Sequence, residues 1–253
     1  MPEYVIKYIH YRKRKLRMND IKRTVGIMGG MGPMATADLI CNIVSMTKAE
    51  RDSDHVHLLV DCDGGVPDRT AAILGGGESP LPHLCTMAKK LEYMGADIIA
   101  ISCNTSHYFY EEICEAVCVP VINMIDCTAR SVARTGAKKA LLLATDGTVR
   151  MDLYGKYLSR YGVETLYMTE EGQREVMSLI YDCVKAGHYE FDVSSFCRHL
   201  YEAGGEGCPV ILGCTELPIA FRHFGIDGYE LFDPTKILAR EIIVRAGAKL
   251  KEV

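Results

Sequence analysis

One pattern constrains this chain more than any other. Apolar runs of strand length alternate with helix-length segments, and the alternation runs through twice. Strands are expected at 24–28, 56–62, 97–102 and 120–123, with helices at 33–49, 80–94, 106–117 and 127–135. The order then restarts, with strands at 140–144, 164–168, 209–212 and 230–232 and helices at 148–161, 171–185, 192–203, 218–224 and 234–246. Strands separated by helices pair in parallel, and the helices cover the sheet faces. The run 97–102 is almost uniformly apolar, as a strand buried on both faces requires. The expected fold is therefore α/β: two similar lobes, each a mostly parallel sheet flanked by helices. The expected division puts 24–129 plus 230–253 in the first lobe and 130–229 in the second.

Composition excludes several classes. With 48% hydrophobic and 25% charged residues over 253 positions, the chain can bury a core and is not globally disordered. No apolar run approaches the roughly 18–20 residues that span a bilayer, so no membrane partner is expected. Residues 1–23 carry eight Lys or Arg against two acids, whereas the rest carries 21 against 31. This basic N-terminal extension reads as a solvated arm, and the acidic body argues against nucleic acid as a partner. Residues 1–20 show no secretory leader pattern. The eleven cysteines include no CxxC pair and no zinc-like repeat, so neither a metal nor a disulfide framework is expected. Reduced thiols and a cytoplasmic location follow from that reading, with most cysteines acting as small packing residues.

Ligands of open parallel sheets bind beyond the carboxyl ends of the strands. Four segments fall there: 29–33, 63–69, 103–107 and 213–217. The first contains Gly30-Met31-Gly32-Pro33-Met34-Ala35, which formally fits a dinucleotide fingerprint, with Asp61 or Asp63 available for a ribose. The same glycine turn can instead offer backbone N–H groups to a carboxylate, and Met31 would then line the pocket. The third and fourth segments are more specific. Cys103-Asn104-Thr105 and Cys214-Thr215-Glu216 each follow an apolar strand and open a helix, a position expected to lower a thiol pKa. Two facing thiols suit α-carbon inversion without a cofactor: one removes the α-proton from one face while the other supplies a proton to the opposite face. Asn104, Thr105 and Thr215 are donors for the charge that develops. His107 could tune Cys103, and Glu216 could orient Cys214 or a substrate amine.

These residues, with Gly29–Pro33, Ala35-Thr36 and Pro67-Asp68-Arg69-Thr70, make the chain resemble the aspartate/glutamate racemase superfamily, whose members work without pyridoxal phosphate. The resemblance extends from about Thr24 onward. It is closest to the aspartate racemase branch, because Glu216 stands where glutamate racemases tend to carry His. The resemblance implies lobes that face each other with the active site between them. It makes Cys103 and Cys214 the acid/base pair, places Arg69 and Lys185 on substrate carboxylates, and implies a small amino acid as substrate, no cofactor, and a homodimer as the assembly. Other readings of the same scaffold are a cysteine-dependent decarboxylase or cis–trans isomerase of a small dicarboxylic acid, and a non-catalytic amino-acid-binding protein.

Overall fold

The computed structural model describes residues 22–251, so the basic extension lies almost wholly outside the described residues. The first sheet contains β1 (Val25–Gly29), β2 (Leu58–Cys62), β3 (Ile98–Ile101) and β4 (Val121–Ile122), in the order β2-β1-β3-β4. The second contains β5 (Lys139–Leu143), β6 (Glu164–Tyr167), β7 (Val210–Leu212) and β8 (Leu231–Phe232), in the order β6-β5-β7-β8. All pairings are parallel. The two sheets thus share one topology, which puts β3 and β7 in equivalent central positions. Their residues are buried throughout, as strands covered by helices on both faces must be.

The lobes exchange helices. Met124–Ala133 follows β4 of the first sheet, yet Ile125, Ala129 and Val132 pack with Ala140 and Leu142 of the second lobe. Pro234–Arg245 follows β8 of the second sheet, yet Leu238, Ala239, Ile242 and Ile243 pack with Val25, Ile27, Leu39 and Ile43 of the first. Ile242 is fully buried there, and truncating it to Ala would cost about 2–5 kcal/mol. This crossing corrects the expected boundary at 230. Leu231–Phe232 pairs with Val210–Ile211 and belongs to the second sheet, so the chain returns to the first lobe only with the closing helix.

Several expected helices also differ in detail. The segment at 127–135 begins earlier, at Met124, because the Asn123 side chain caps it by accepting from the Asp126 N–H at 2.9 Å. The segment at 148–161 is broken into Asp146–Arg150 and Leu153–Arg160 by Asp152, which takes a left-handed conformation with φ of 51°. Tyr167 donates to the Asp152 carboxylate and holds it there. The segment at 106–117 opens as a 3-10 turn over Thr105–Phe109 before the α-helix Tyr110–Glu115. The segment at 171–185 changes from α-helix over Glu170–Ser178 to π-helix over Leu179–Lys185. A short helix, Arg69–Ile73, stands where a loop was expected to end. Cys127, Cys183 and Cys208 pack inside, whereas Cys41, Cys62 and Cys118 are exposed and contribute no core packing. Among the described residues, no helix is long and apolar enough to cross a membrane.

Candidate active site

The carboxyl ends of both sheets meet at a narrow cavity. Met31, Arg69, Cys103, Asn104, Thr105, Lys185, Cys214, Thr215 and Glu216 all line it. Each thiol arrives the same way. β3 runs through Ser102 into Cys103, and β7 runs through Gly213 into Cys214; both sulfurs are buried. Asp68, Thr70, Thr145 and Tyr181 complete the wall; Asp68 and Thr70 belong to the Pro67-Asp68-Arg69-Thr70 motif but have no site role in the sequence reading, and Thr145 and Tyr181 are not singled out in the sequence. Two of these have a readable signal. Thr145 lies just past β5, the counterpart of β1, and Tyr181 precedes Lys185 by four residues, a spacing that shares a helix face.

The glycine turn after β1 shapes the first-lobe wall. Gly30 has φ of 90°, which L side chains rarely adopt, and it presses on the Asp63 backbone. A side chain at Gly32 would meet Glu216 Oε1 at 3.1 Å. The second lobe therefore comes up against the turn.

Arg69 is 9% exposed. Its guanidinium donates to the Val66 and Pro67 carbonyls, both at 3.1 Å, and to the Met31 carbonyl at 3.4 Å. Its Nε is buried without a partner, as is Nδ2 of Asn104. Buried donors rarely go unpaired, so these two N–H groups mark where a ligand oxygen would sit. Burial opposes the Arg69 charge, but the Cys103 sulfur and then the Asp68 carboxylate outweigh it and raise its pKa above the usual arginine value.

The second thiol has a different neighbour. Cys214 Sγ donates to Glu216 Oε2 at 3.0 Å, and Thr215 Oγ1 donates to the same oxygen at 3.1 Å. The other oxygen, Oε1, meets Lys185 Nζ at 3.1 Å. Burial first, and the Glu216 carboxylate second, push the Cys214 pKa well above the ordinary thiol value, against the opposing pull of Lys185. A lowered thiol pKa was expected at this helix start. The correction has a plain cause: burial, and then a carboxylate in hydrogen-bond contact, outweigh the dipole of a helix that begins only at Leu217. Burial also opposes the Lys185 charge, but Glu216 and then Cys214 raise its pKa overall.

His107 is resolved as a structural group. Its Nε2 accepts from the Met124 N–H at 3.0 Å, which leaves Nδ1 to donate to the Cys103 carbonyl at 2.8 Å. Burial lowers its pKa to about 4, so the ring is neutral near pH 7. It fixes the backbone of Cys103 and does not approach the sulfur through a hydrogen bond.

Several contacts tie the lobes together. Thr105 Oγ1 meets Thr145 Oγ1 at 3.0 Å and Thr148 Oγ1 at 3.2 Å. Tyr181 donates to Asp68 Oδ2 at 3.1 Å, while Asp68 Oδ1 caps the helix Arg69–Ile73 through the Ala71 N–H at 2.8 Å. Arg222 pairs with Asp38 at 2.7 Å on the outer rim. Among the described residues, no group of three or more His, Cys, Asp or Glu is placed to hold a metal ion.

The geometry defines a class: a two-lobed α/β protein that presents one buried thiol from each lobe to a shared polar cavity. Residues 28–242 match the Asp/Glu/hydantoin racemase family, and the chain belongs to that family. It is 28% identical over 231 residues to the broad specificity amino-acid racemase RacX of Bacillus subtilis, covering 87% of this chain and 96% of the relative. The structure of an aspartate racemase from Picrophilus torridus superposes with a TM-score of 0.74 at 33% identity, covering 90% of this chain and 96% of that one. An aspartate racemase homologue from Pyrococcus horikoshii superposes with a TM-score of 0.70 at 28% identity, covering 89% and 99%.

Proposed function

We propose that the chain is a cofactor-independent amino-acid racemase acting on aspartate or glutamate, with Cys103 and Cys214 as its two acid/base groups. The observation that carries this reading is the placement of both thiols at equivalent strand ends on one enclosed cavity. The cavity also offers cations and acids suited to a zwitterionic dicarboxylate. Arg69 and Lys185 answer two carboxylates, and Glu216 or Asp68 answers the ammonium.

The proposed cycle starts with the two thiols in opposite states. Cys214, held against Glu216, keeps its proton and serves as the acid. Cys103, on the same cavity, is then the base. In one direction the Cys103 thiolate takes the α-proton, and the C–H electron pair passes to the carbon and its carboxylate. The Cys214 thiol then gives its proton to the opposite face. The enzyme is left with Cys103 as thiol and Cys214 as thiolate, and the reverse reaction uses that form. Arg69 Nε and Asn104 Nδ2 stabilise the negative charge gathering on the carboxylate.

The test is α-proton exchange in deuterated water with both enantiomers of aspartate, glutamate and a panel of neutral amino acids. Exchange accompanied by inversion is expected for at least one acidic amino acid. No exchange on any member of the panel contradicts the proposal.

A further inference from the structure

Asn104 sits on the first lobe and lines the cavity, yet its amide orientation is set from the second lobe. Tyr154, on the helix Leu153–Arg160, donates its hydroxyl to Asn104 Oδ1 at 2.6 Å. Both residues are buried: Tyr154 is fully inaccessible and Asn104 is 2% exposed. The tyrosine ring is part of the second-lobe core, packed with Leu153, Leu158 and Ile125. Nothing in that packing requires the hydroxyl, which costs free energy to bury unless it finds a partner. Its partner lies across the lobes.

We infer that Tyr154 is a positioning residue: by donating to Asn104 Oδ1 it fixes the amide so that Nδ2, otherwise unpaired, is presented to the substrate carboxylate. The inference deepens the racemase proposal and rests on it. An amide can turn end for end within the same envelope, and the two ends have opposite roles. With the hydroxyl donating to Oδ1, the nitrogen is left for the other side. Burial drives the Tyr154 pKa far up, so the hydroxyl keeps its proton and remains available as a donor. With the opposite flip, a carbonyl oxygen would replace a donor in a wall that is to receive a carboxylate. The break at Asp152 takes part in this arrangement, since it starts a new helix two residues before Tyr154.

The experiment is a double-substitution cycle on the full chain, read as kcat/KM for racemisation together with the thermal midpoint. Tyr154→Phe keeps the packed ring and removes only the donor. It is expected to lower kcat/KM by about tenfold, in line with one lost buried hydrogen bond. Asn104→Ala is expected to lower it further, and adding Tyr154→Phe to Asn104→Ala is expected to change nothing more, because the tyrosine acts only through the amide. If Asn104→Ala does not yield folded protein, Asn104→Ser takes its place in the cycle. Wild-type kcat/KM in Tyr154→Phe, or an undiminished loss in the asparagine-substituted background, overturns the inference while leaving the racemase proposal intact. Absence of racemisation by the unaltered protein overturns both.

Discussion

Glu216 Oε2 accepts a hydrogen bond from the Cys214 thiol at 3.0 Å, and after burial it is the main influence that holds this sulfur protonated. The carboxylate favours the protonated sulfur, and its other oxygen holds Lys185. Replacing Glu216 with Gln removes the charge at nearly constant volume and leaves Lys185 facing the sulfur. The Cys214 pKa then falls. In the direction that uses Cys214 as acid, activity is present below its pKa and lost as pH rises through it. The basic limb of the pH–rate profile in that direction is therefore expected to move to lower pH in Glu216→Gln, with the opposite direction less affected. Profiles recorded separately from each enantiomer check this.

Arg69 combines three backbone hydrogen bonds with one unpaired N–H on a single planar group. Lysine keeps the charge but cannot reproduce that fork. Arg69→Lys is expected to raise KM for the dicarboxylate by roughly 10–100-fold, corresponding to about 1.5–3 kcal/mol for hydrogen bonds to a charged group. Steady-state kinetics on both enantiomers measure it.

His107 couples stability to pH without entering the chemistry. Its pKa falls from 6.5 to about 4 on folding, so the unfolded chain binds the extra proton first as pH drops. Stability from this group is complete above about pH 6.5 and is lost as pH falls through about 4, by about 3 kcal/mol in all. Urea unfolding at pH 7 and pH 5 is expected to show that slope in the parent and a flatter one in His107→Asn. No limb of the pH–rate profile near neutrality should belong to His107.

Asp68 caps the helix that carries Arg69 and receives the Tyr181 hydroxyl from the other lobe. Asp68→Ala is expected to cost about 1 kcal/mol through the lost cap. It should also weaken substrate binding, because the Arg69 helix is no longer tied to the second lobe. Tyr181→Phe removes only the cross-lobe bond, so it should raise KM without the stability loss. Thermal midpoints and KM values for both variants separate the two effects.

Much of this arrangement is legible in the amino-acid order, for identifiable reasons. Cys103 and Cys214 stand out because apolar strands run directly into them, and parallel sheets expose such positions to ligands. Lys185 is reached only through the family resemblance, since the helix pattern over 171–185 gives no sign that the helix loosens into a π-turn from Leu179. Asp152 breaks a helix in a left-handed conformation that no glycine announces; Tyr167, distant in sequence, holds it. Tyr154 reads as an ordinary member of an amphipathic helix because its partner, Asn104, belongs to the other lobe. β8 is only two residues long and leads into a helix that packs on the first lobe, so periodicity alone could not assign it to the second sheet. The rise in the Cys214 pKa depends on solvent exclusion, which a strand-end motif does not encode.

The most direct measurement is racemisation by Cys103→Ser and Cys214→Ser, each followed from both enantiomers in deuterated water. If the two thiols act as a pair, each substitution should abolish inversion, with a loss of more than about a thousandfold given the weak acidity of an unactivated hydroxyl. Full racemase activity in either single variant would contradict the two-thiol mechanism.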